Sequence, residues 1–387
     1  MANIKETLLG TCVNGKTVLS DIEVLRRNST DKIFVGNEAT LRVSQLHPKY
    51  IELSLNEIID TNKEAKIFRF TSVNGYLPPF EAGQYINLFV TIDGVTTTRP
   101  YSLSSSPKVR AYYEITIARA KGGFVSNYLL DNAKVGDKFQ INGPAGVFRY
   151  QGVFHKNHSV FLAGGSGITP FLSMSREILE SGLNREVTLI YGCRNESVAL
   201  YDAEFKKYSA TYPNFKYYLV SSDPEEGYTG LKGFIDSALI KSLVPDYCDS
   251  TFYICGPQIM NEFCQKELFS LGLGVKQVRR EMFGSALNIV KEEGYPNGVK
   301  ATDVFKLKIG DRIIDARADE SILVALERAK IRVNVCCRSG ECSLCRVKLL
   351  KGEVFLAKGM LLRDADKAFN YIHSCKSYPI SDIEIRE

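Results

Sequence analysis

The chain has 387 residues, 44% hydrophobic and 24% charged, an ordinary globular balance that suits roughly two to four domains, each with its own core. A net charge of +5 with no basic arm gives no reason to expect a nucleic-acid partner. No apolar run nears the ~18 residues of a transmembrane segment, and the first twenty residues lack a secretory signal, so the ten cysteines are expected in a reducing, cytoplasmic setting.

Residues 1–48 carry no recognisable chemistry. KTVLSDIEVLRR and EATLRVSQL read as short strands, or as a strand and a helix, in an extension of unknown role. From residue 49 to 150 the pattern is β. IELSLNEII, AKIFRFTSV, QYINLFVTI and AYYEITIARA alternate or are rich in β-branched and aromatic residues, and Asn74-Gly75, Pro78-Pro79 and Asp93-Gly94 separate them. Short strands so closely spaced predict an antiparallel barrel. Arg99-Pro100-Tyr101-Ser102 ends one strand with a cation, a phenol and a hydroxyl. Gly122-Gly123-Phe124-Val125-Ser126 reads as a glycine turn entering a helix capped near Ser126, and a helix N-terminus of this kind binds anions. Gly143-Pro144-Ala145-Gly146-Val147-Phe148 then closes the barrel.

Taken together and in this order, these three stretches resemble the flavin domain of the ferredoxin–NADP reductase superfamily. The resemblance implies that Arg99 and Pro100 lie on the flavin strand, with Arg99 neutralising the pyrophosphate. It places Tyr101 against the flavin and Ser102 near N5, the atom that receives hydride. Thr116 and Ala118 would line the ring, while Gly123, Val125 and Ser126 form the phosphate turn. GGFVSNYL and GPAGVF look more like the branch that holds FAD than the one that holds FMN.

Between residues 155 and 285 strands alternate with helices: SVFLAGG, PFLSMSREILESG, EVTLIYG, ALYDAEFKKYSATY, FKYYLVSS, FIDSALIKSLV and STFYICG. That alternation predicts a parallel sheet in a doubly wound α/β domain, with its ligand at the carboxyl ends of the strands. Gly164-Gly165-Ser166-Gly167-Ile168-Thr169-Pro170 follows the first strand and opens a helix, so its bare backbone can close on a pyrophosphate. Cys255-Gly256-Pro257-Gln258-Ile259-Met260 follows a later strand. The superfamily resemblance extends to both loops. It implies that Gly165, Ser166, Gly167, Gly256 and Pro257 bind NAD(P), and that Cys255, Thr169 and Ser166 hold the nicotinamide over the flavin. Glu281-Met282-Phe283-Gly284 resembles the closing segment beside the flavin face, which assigns Glu281 and Phe283 to the cofactor site. Arg194 can serve a 2′-phosphate, but the third strand ends Asp223-Pro224-Glu225-Glu226, where acid repels one. NADH is favoured over NADPH.

Residues 286–301 carry Gly, Pro and charge and read as a linker. Residues 302–387 follow with Cys337, Cys342, Cys345 and Cys375 in the C-x4-C-x2-C…C spacing of plant-type [2Fe–2S] ligation. A disulfide framework lacks its compartment, and a zinc site usually shows two close pairs. Cys336 breaks the four-residue gap and is read as a buried neighbour. The surrounding hairpin, helix, cysteine loop and last strand resemble the β-grasp fold of plant-type ferredoxins. The domain order is similar to oxygenase reductase components, hybrid-cluster-protein reductases and the phenylacetyl-CoA epoxidase reductase subunit. It implies electron flow from NAD(P)H through FAD and the cluster to a redox-partner protein. The alternatives are a diaphorase for small acceptors and a subunit of a larger electron-transfer complex. Residues 303–387 carry a net charge of +3, which disfavours a basic partner.

Overall fold

A computed structural model describes residues 14–28, 38–62, 64–282 and 288–387. It divides into a unit ending at Pro48 and a larger one from Lys49 to Glu387. In the first, Gly15–Asn28 (α1) and Glu38–Leu46 (α2) are both helices, where two strands, or a strand and a helix, were expected. Glu23 with Arg27 and Glu38 with Arg42 are i,i+4 ion pairs, the support that a reading by alternation overlooks.

The larger unit starts with six strands: Ile51–Asn62 (β1), Ala65–Ser72 (β2), Tyr85–Ile92 (β3), Val95–Ser102 (β4), Tyr113–Ala118 (β5) and Lys138–Ala145 (β6). They pair antiparallel in the order β4-β3-β6-β1-β2-β5. A further bridge, Leu103 to Ile115, brings the two edges together and closes the barrel. Alternation supplies the core. Ile51, Leu53 and Leu55 turn inward and Glu52 outward, and Phe68, Phe70, Ile86, Leu88 and Ile141 complete the interior. The helix Val125–Asn132 (α3) follows β5.

The second body is a six-stranded sheet. Its elements are His158–Gly164 (β7), Thr169–Glu180 (α4), Glu186–Cys193 (β8), Asp202–Thr211 (α5), Phe215–Ser221 (β9), Leu231–Lys232 (β10), Ser237–Leu243 (α6), Ser250–Cys255 (β11), Gln258–Ser270 (α7) and Val278–Glu281 (β12). Every strand pair is parallel, in the order β10-β9-β8-β7-β11-β12. All of β7 and β11 is buried, because helices cover both faces of a doubly wound sheet. The strand order reverses between β7 and β11, so a crevice opens where Gly164 and Cys255 end their strands.

The third body comprises Val304–Ile309 (β13), Arg312–Arg317 (β14), Ile322–Arg328 (α8), Arg346–Lys351 (β15), Val354–Leu356 (β16), Asp364–Ala368 (α9), Tyr371–His373 (β17), Ser377–Pro379 (β18) and Ile383–Arg386 (β19). The main sheet runs β14-β13-β19-β15-β17, and α8 packs its Ile322, Ala325 and Leu326 onto Leu307, Val347 and Ile385. This is the β-grasp arrangement. The connection before it is no loose tether: Ile289 and Tyr295 bury against Ala357 and Tyr378, and Tyr295 Oη donates to Ala318 O. Among the described residues no helix is long and apolar enough to cross a membrane.

Candidate redox site

The end of β4 lies where three bodies meet. Ser102 is buried, and its pairing partner on β3 is Tyr85. Tyr101 packs against the barrel core. Pro100 is half-buried beside it and pairs with Asn87. Arg99 is turned to its own strand: its Nη1 donates to Thr97 Oγ1 at 2.9 Å and to Thr98 O at 2.7 Å. Burial, then the neighbouring Arg338, lowers the Arg99 guanidinium to about 10.

On β5, Thr116 hydrogen-bonds the Tyr201 hydroxyl and Ala118 packs against one face of the parallel sheet. The structure thus places both at the seam between barrel and sheet. Tyr201 holds a left-handed backbone (φ 59°) at the head of α5, an uncommon conformation for an aromatic residue. At the glycine turn, Val125 is buried and Ser126 stands inside the first turn of α3. The expected cap at Ser126 is absent: Phe124 precedes the helix and no side chain caps it. The first amides of α3 are therefore left for an anion. A Cβ on Gly123 would stand 2.5 Å from Ser126 Oγ and 3.1 Å from Ala120 O, so the turn is tight there. These residues fit a flavin phosphate.

The two loops of the parallel sheet are interlocked. A Cβ on Gly167 would meet Cys255 O at 2.2 Å, and Gly256 lies against the backbone of Gly164, where a Cβ would come within 3.1 Å. Only bare backbone lets the loops touch. Gly165, at φ 51°, and Ser166 are exposed at the head of α4, and Thr169 Oγ1 donates to Ser166 O at 2.8 Å, fixing the loop. Pro257 leads into α7. Exposed amides at a helix head beside a glycine-lined crevice fit a dinucleotide. Burial, with Glu281 second, pushes the Cys255 thiol well up, so it stays neutral and offers a wall, not a nucleophile. Glu281 pairs with Cys255 across β11 and β12, and its Oε2 is buried without a hydrogen-bond partner. Burial raises its carboxyl well above the usual range, with Glu341 and Cys337 adding to the effect. Arg194 is exposed after β8. Its carbonyl accepts from Asp223 N at 2.7 Å, which sets the acidic 223–226 stretch next to it. Phe283 lies outside the described residues.

In the cysteine loop, Cys337 Sγ accepts the amides of Ser339 and Cys342, each at 3.4 Å. No three His, Cys, Asp or Glu side chains among the described residues converge on a single ion. Cys342 lies close enough to both Cys336 and Cys337, and Cys345 to Cys375, to shift their proton affinities. Two irons bridged by sulfides take two thiolates each, so this arrangement fits a [2Fe–2S] cluster better than a lone metal. Cys342 is exposed and the other three are buried. Cys336 Sγ donates to Tyr85 Oη at 3.3 Å, so the doublet of cysteines packs on the barrel.

Sequence reasoning missed the residues that join the bodies. Asn87 Nδ2 donates to Val335 O at 2.7 Å, and Thr97 Oγ1 donates to Glu327 Oε2 at 3.1 Å. Arg338 pairs with Glu327 and donates to Thr97 Oγ1 at 3.0 Å. On the other seam, Arg176 of α4 bridges Glu114 of the barrel and Glu204 of α5. Only Arg338, a cation inside the cysteine loop, gave a signal.

Family models match in the same order. The oxidoreductase FAD-binding domain matches residues 52–150, the oxidoreductase NAD-binding domain 161–266, and the 2Fe-2S iron-sulfur cluster binding domain 307–379. The NADH oxidoreductase HCR of Escherichia coli strain K12 is 30% identical over 308 residues, 79% of this chain and 88% of that protein. The glycine betaine monooxygenase reductase subunit of Chromohalobacter salexigens is 27% identical over 343 residues, 85% of this chain and 93% of that protein. Among solved structures, phthalate dioxygenase reductase is similar at a TM-score of 0.65 and 25% identity, covering 87% of this chain and 97% of that one.

Proposed function

The chain belongs to the ferredoxin–NADP reductase superfamily, among the flavoproteins with a C-terminal plant-type [2Fe–2S] domain, and on that premise we propose that it is the NADH-fed reductase of an oxygenase. It carries electrons from NAD(P)H through FAD and the [2Fe–2S] cluster to a protein acceptor. The observation that carries the reading is the junction itself. Ser102 pairs with Tyr85, which touches Cys336 and Cys337; Cys255 pairs with Glu281, whose carboxyl senses Cys337. Hydride entry and electron exit thus share one small volume.

When bound, FAD supplies the conversion of a two-electron hydride into single electrons for the cluster. The chain supplies position. Cys255, Ser166 and Thr169 hold the nicotinamide side of the crevice, and Gly165, Gly167, Gly256 and Pro257 receive the dinucleotide backbone. Arg99, Pro100, Tyr101, Ser102, Gly123, Val125 and Ser126 hold the flavin. Thr116 and Ala118 line its ring, and Glu281 and Phe283 are assigned to the cofactor site. Cys337, Cys342, Cys345 and Cys375 ligate the cluster. The divisions that go with these roles are 49–150 for flavin, 155–285 for nucleotide and 302–387 for the cluster. No described cysteine is in a disulfide, which suits the cytoplasm. The relatives named as monooxygenase reductase subunits support an oxygenase as acceptor.

Anaerobic rapid mixing tests this. NADH should bleach the flavin first and the cluster second, at lower concentration than NADPH, because Asp223, Glu225 and Glu226 repel a 2′-phosphate. Added oxygenase component should then reoxidise the cluster before the flavin. Cluster bleaching that precedes flavin bleaching would refute the order, and a preference for NADPH would assign Arg194 to its phosphate.

A further inference from the structure

The contact between barrel and cluster domain brings two guanidiniums onto one hydroxyl. Thr97 Oγ1 receives two guanidiniums, Arg99 from its own strand at 2.9 Å and Arg338 from the cysteine loop at 3.0 Å, and donates to Glu327 at 3.1 Å. Its one proton and both lone pairs are then used. Glu327 is the single carboxylate that ion-pairs here among the described residues, and Arg338 takes it. The Arg338 side chain is only 4% exposed, and Arg99 is partly buried beside it. A buried donor without an acceptor is costly. One such donor is present: Arg338 Nε is buried without a partner. Two guanidiniums side by side, one orphan donor and a partly open Arg99 describe a place suited to an anion.

We propose that Arg338, from the iron–sulfur domain, joins Arg99 of the barrel in a two-domain anion site that binds a phosphate of the flavin. The cluster domain is then part of the flavin site. The inference rests on the assignment of Arg99 to the flavin phosphate made above. By linkage, whatever affinity Arg338 adds for the flavin, the bound flavin returns as tighter docking of the cluster domain.

The test titrates full-length protein, stripped of flavin but retaining its cluster, with FAD and with riboflavin, which has no phosphate. Flavin fluorescence reports binding, and the visible absorption of the cluster confirms that the loop is intact. Arg338→Gln should raise the Kd for FAD on the order of tenfold, the size of a lost charge-assisted bond, and leave riboflavin unchanged. Glu327→Gln should act in the opposite direction and tighten FAD, because it removes the anion that competes with the phosphate. A merely structural role for the contact predicts that both variants weaken both flavins, and that result overturns the proposal. If Arg99→Gln weakens FAD selectively while Arg338→Gln does not, the Arg99 reading stands and the two-domain site fails. If Arg99→Gln leaves the FAD-to-riboflavin ratio intact, the Arg99 assignment itself fails. Should Arg338→Gln lose its cluster, Arg338→Lys replaces it, with a smaller rise for FAD expected and no change overturning the proposal.

Discussion

Replacing Arg176 with Met cuts the electrostatic seam between the flavin barrel and the nucleotide sheet. Arg176 Nη1 donates to Glu114 at 2.8 Å and to Ser104 O at 2.9 Å, while Nε and Nη2 take both oxygens of Glu204 at 2.9 and 3.0 Å. The Glu114 side chain is 1% exposed. Removing one partner of a buried pair costs about 3–5 kcal/mol, and Arg69, still 2.8 Å from Glu114, keeps part of that, so a loss of roughly 2–4 kcal/mol is expected. The urea midpoint of flavin release reads it. Glu114→Gln in the Arg176→Met background should recover part of the loss, because the stranded charge is gone. The acid limb gives an independent sign. Burial raises the Glu114 carboxyl, but Arg176 and Arg69 outweigh it and hold the folded value below the ordinary 4.5. Its contribution is therefore complete above pH 4.5 and fades as pH falls through the lower folded value. In Arg176→Met that fading should begin at higher pH. The variant should also slow flavin reduction, since a displacement of about 1 Å between the two bodies can cost on the order of a hundredfold. A midpoint whose shift, multiplied by the m-value, stays within about 0.5 kcal/mol of wild type, the range of ordinary surface changes, would refute the reasoning.

Cys336→Ser should keep its iron and its visible absorption, whereas Ser at Cys337, Cys342, Cys345 or Cys375 should lose them; a colourless Cys336→Ser would shift the ligand register by one. Gly167→Ala should slow flavin reduction and raise the KM for NADH, because its Cβ would stand 2.2 Å from Cys255 O and force the two loops apart. Unchanged NADH kinetics in that variant would detach the interlocked loops from nicotinamide binding.

Local pattern carried most of the fold. The alternation of β1, the Asp93-Gly94 hairpin with both residues at positive φ, and the strand–helix rhythm after residue 155 are short-range signals, and each became the expected element. The chemistry-bearing loops were legible for a related reason: a glycine loop at a helix head and a four-cysteine spacing are local statements about backbone and ligands. What stayed hidden is long-range. Thr97 and Glu327 are 230 residues apart, and Asn87 and Val335 are 248 apart, so no periodicity links them. Ser126 was misread because a serine after a glycine turn suggests a cap, while the helix begins one residue earlier and its bare head suits an anion better. Of the two segments before Pro48 the reading allowed at most one helix, because the i,i+4 ion pairs that support both leave no mark on apolar alternation.

The central claim is that hydride enters at the flavin and electrons leave through the cluster, and Cys375→Ala measures it most directly. This residue is fully buried and pairs with Cys345 on one side of the cluster site. In rapid mixing with NADH the variant should bleach its flavin at nearly the wild-type rate and still reduce ferricyanide, yet fail to reduce cytochrome c. Wild-type reduction of cytochrome c by a Cys375→Ala protein that lacks its cluster would contradict the account, because the exit would then be the flavin itself.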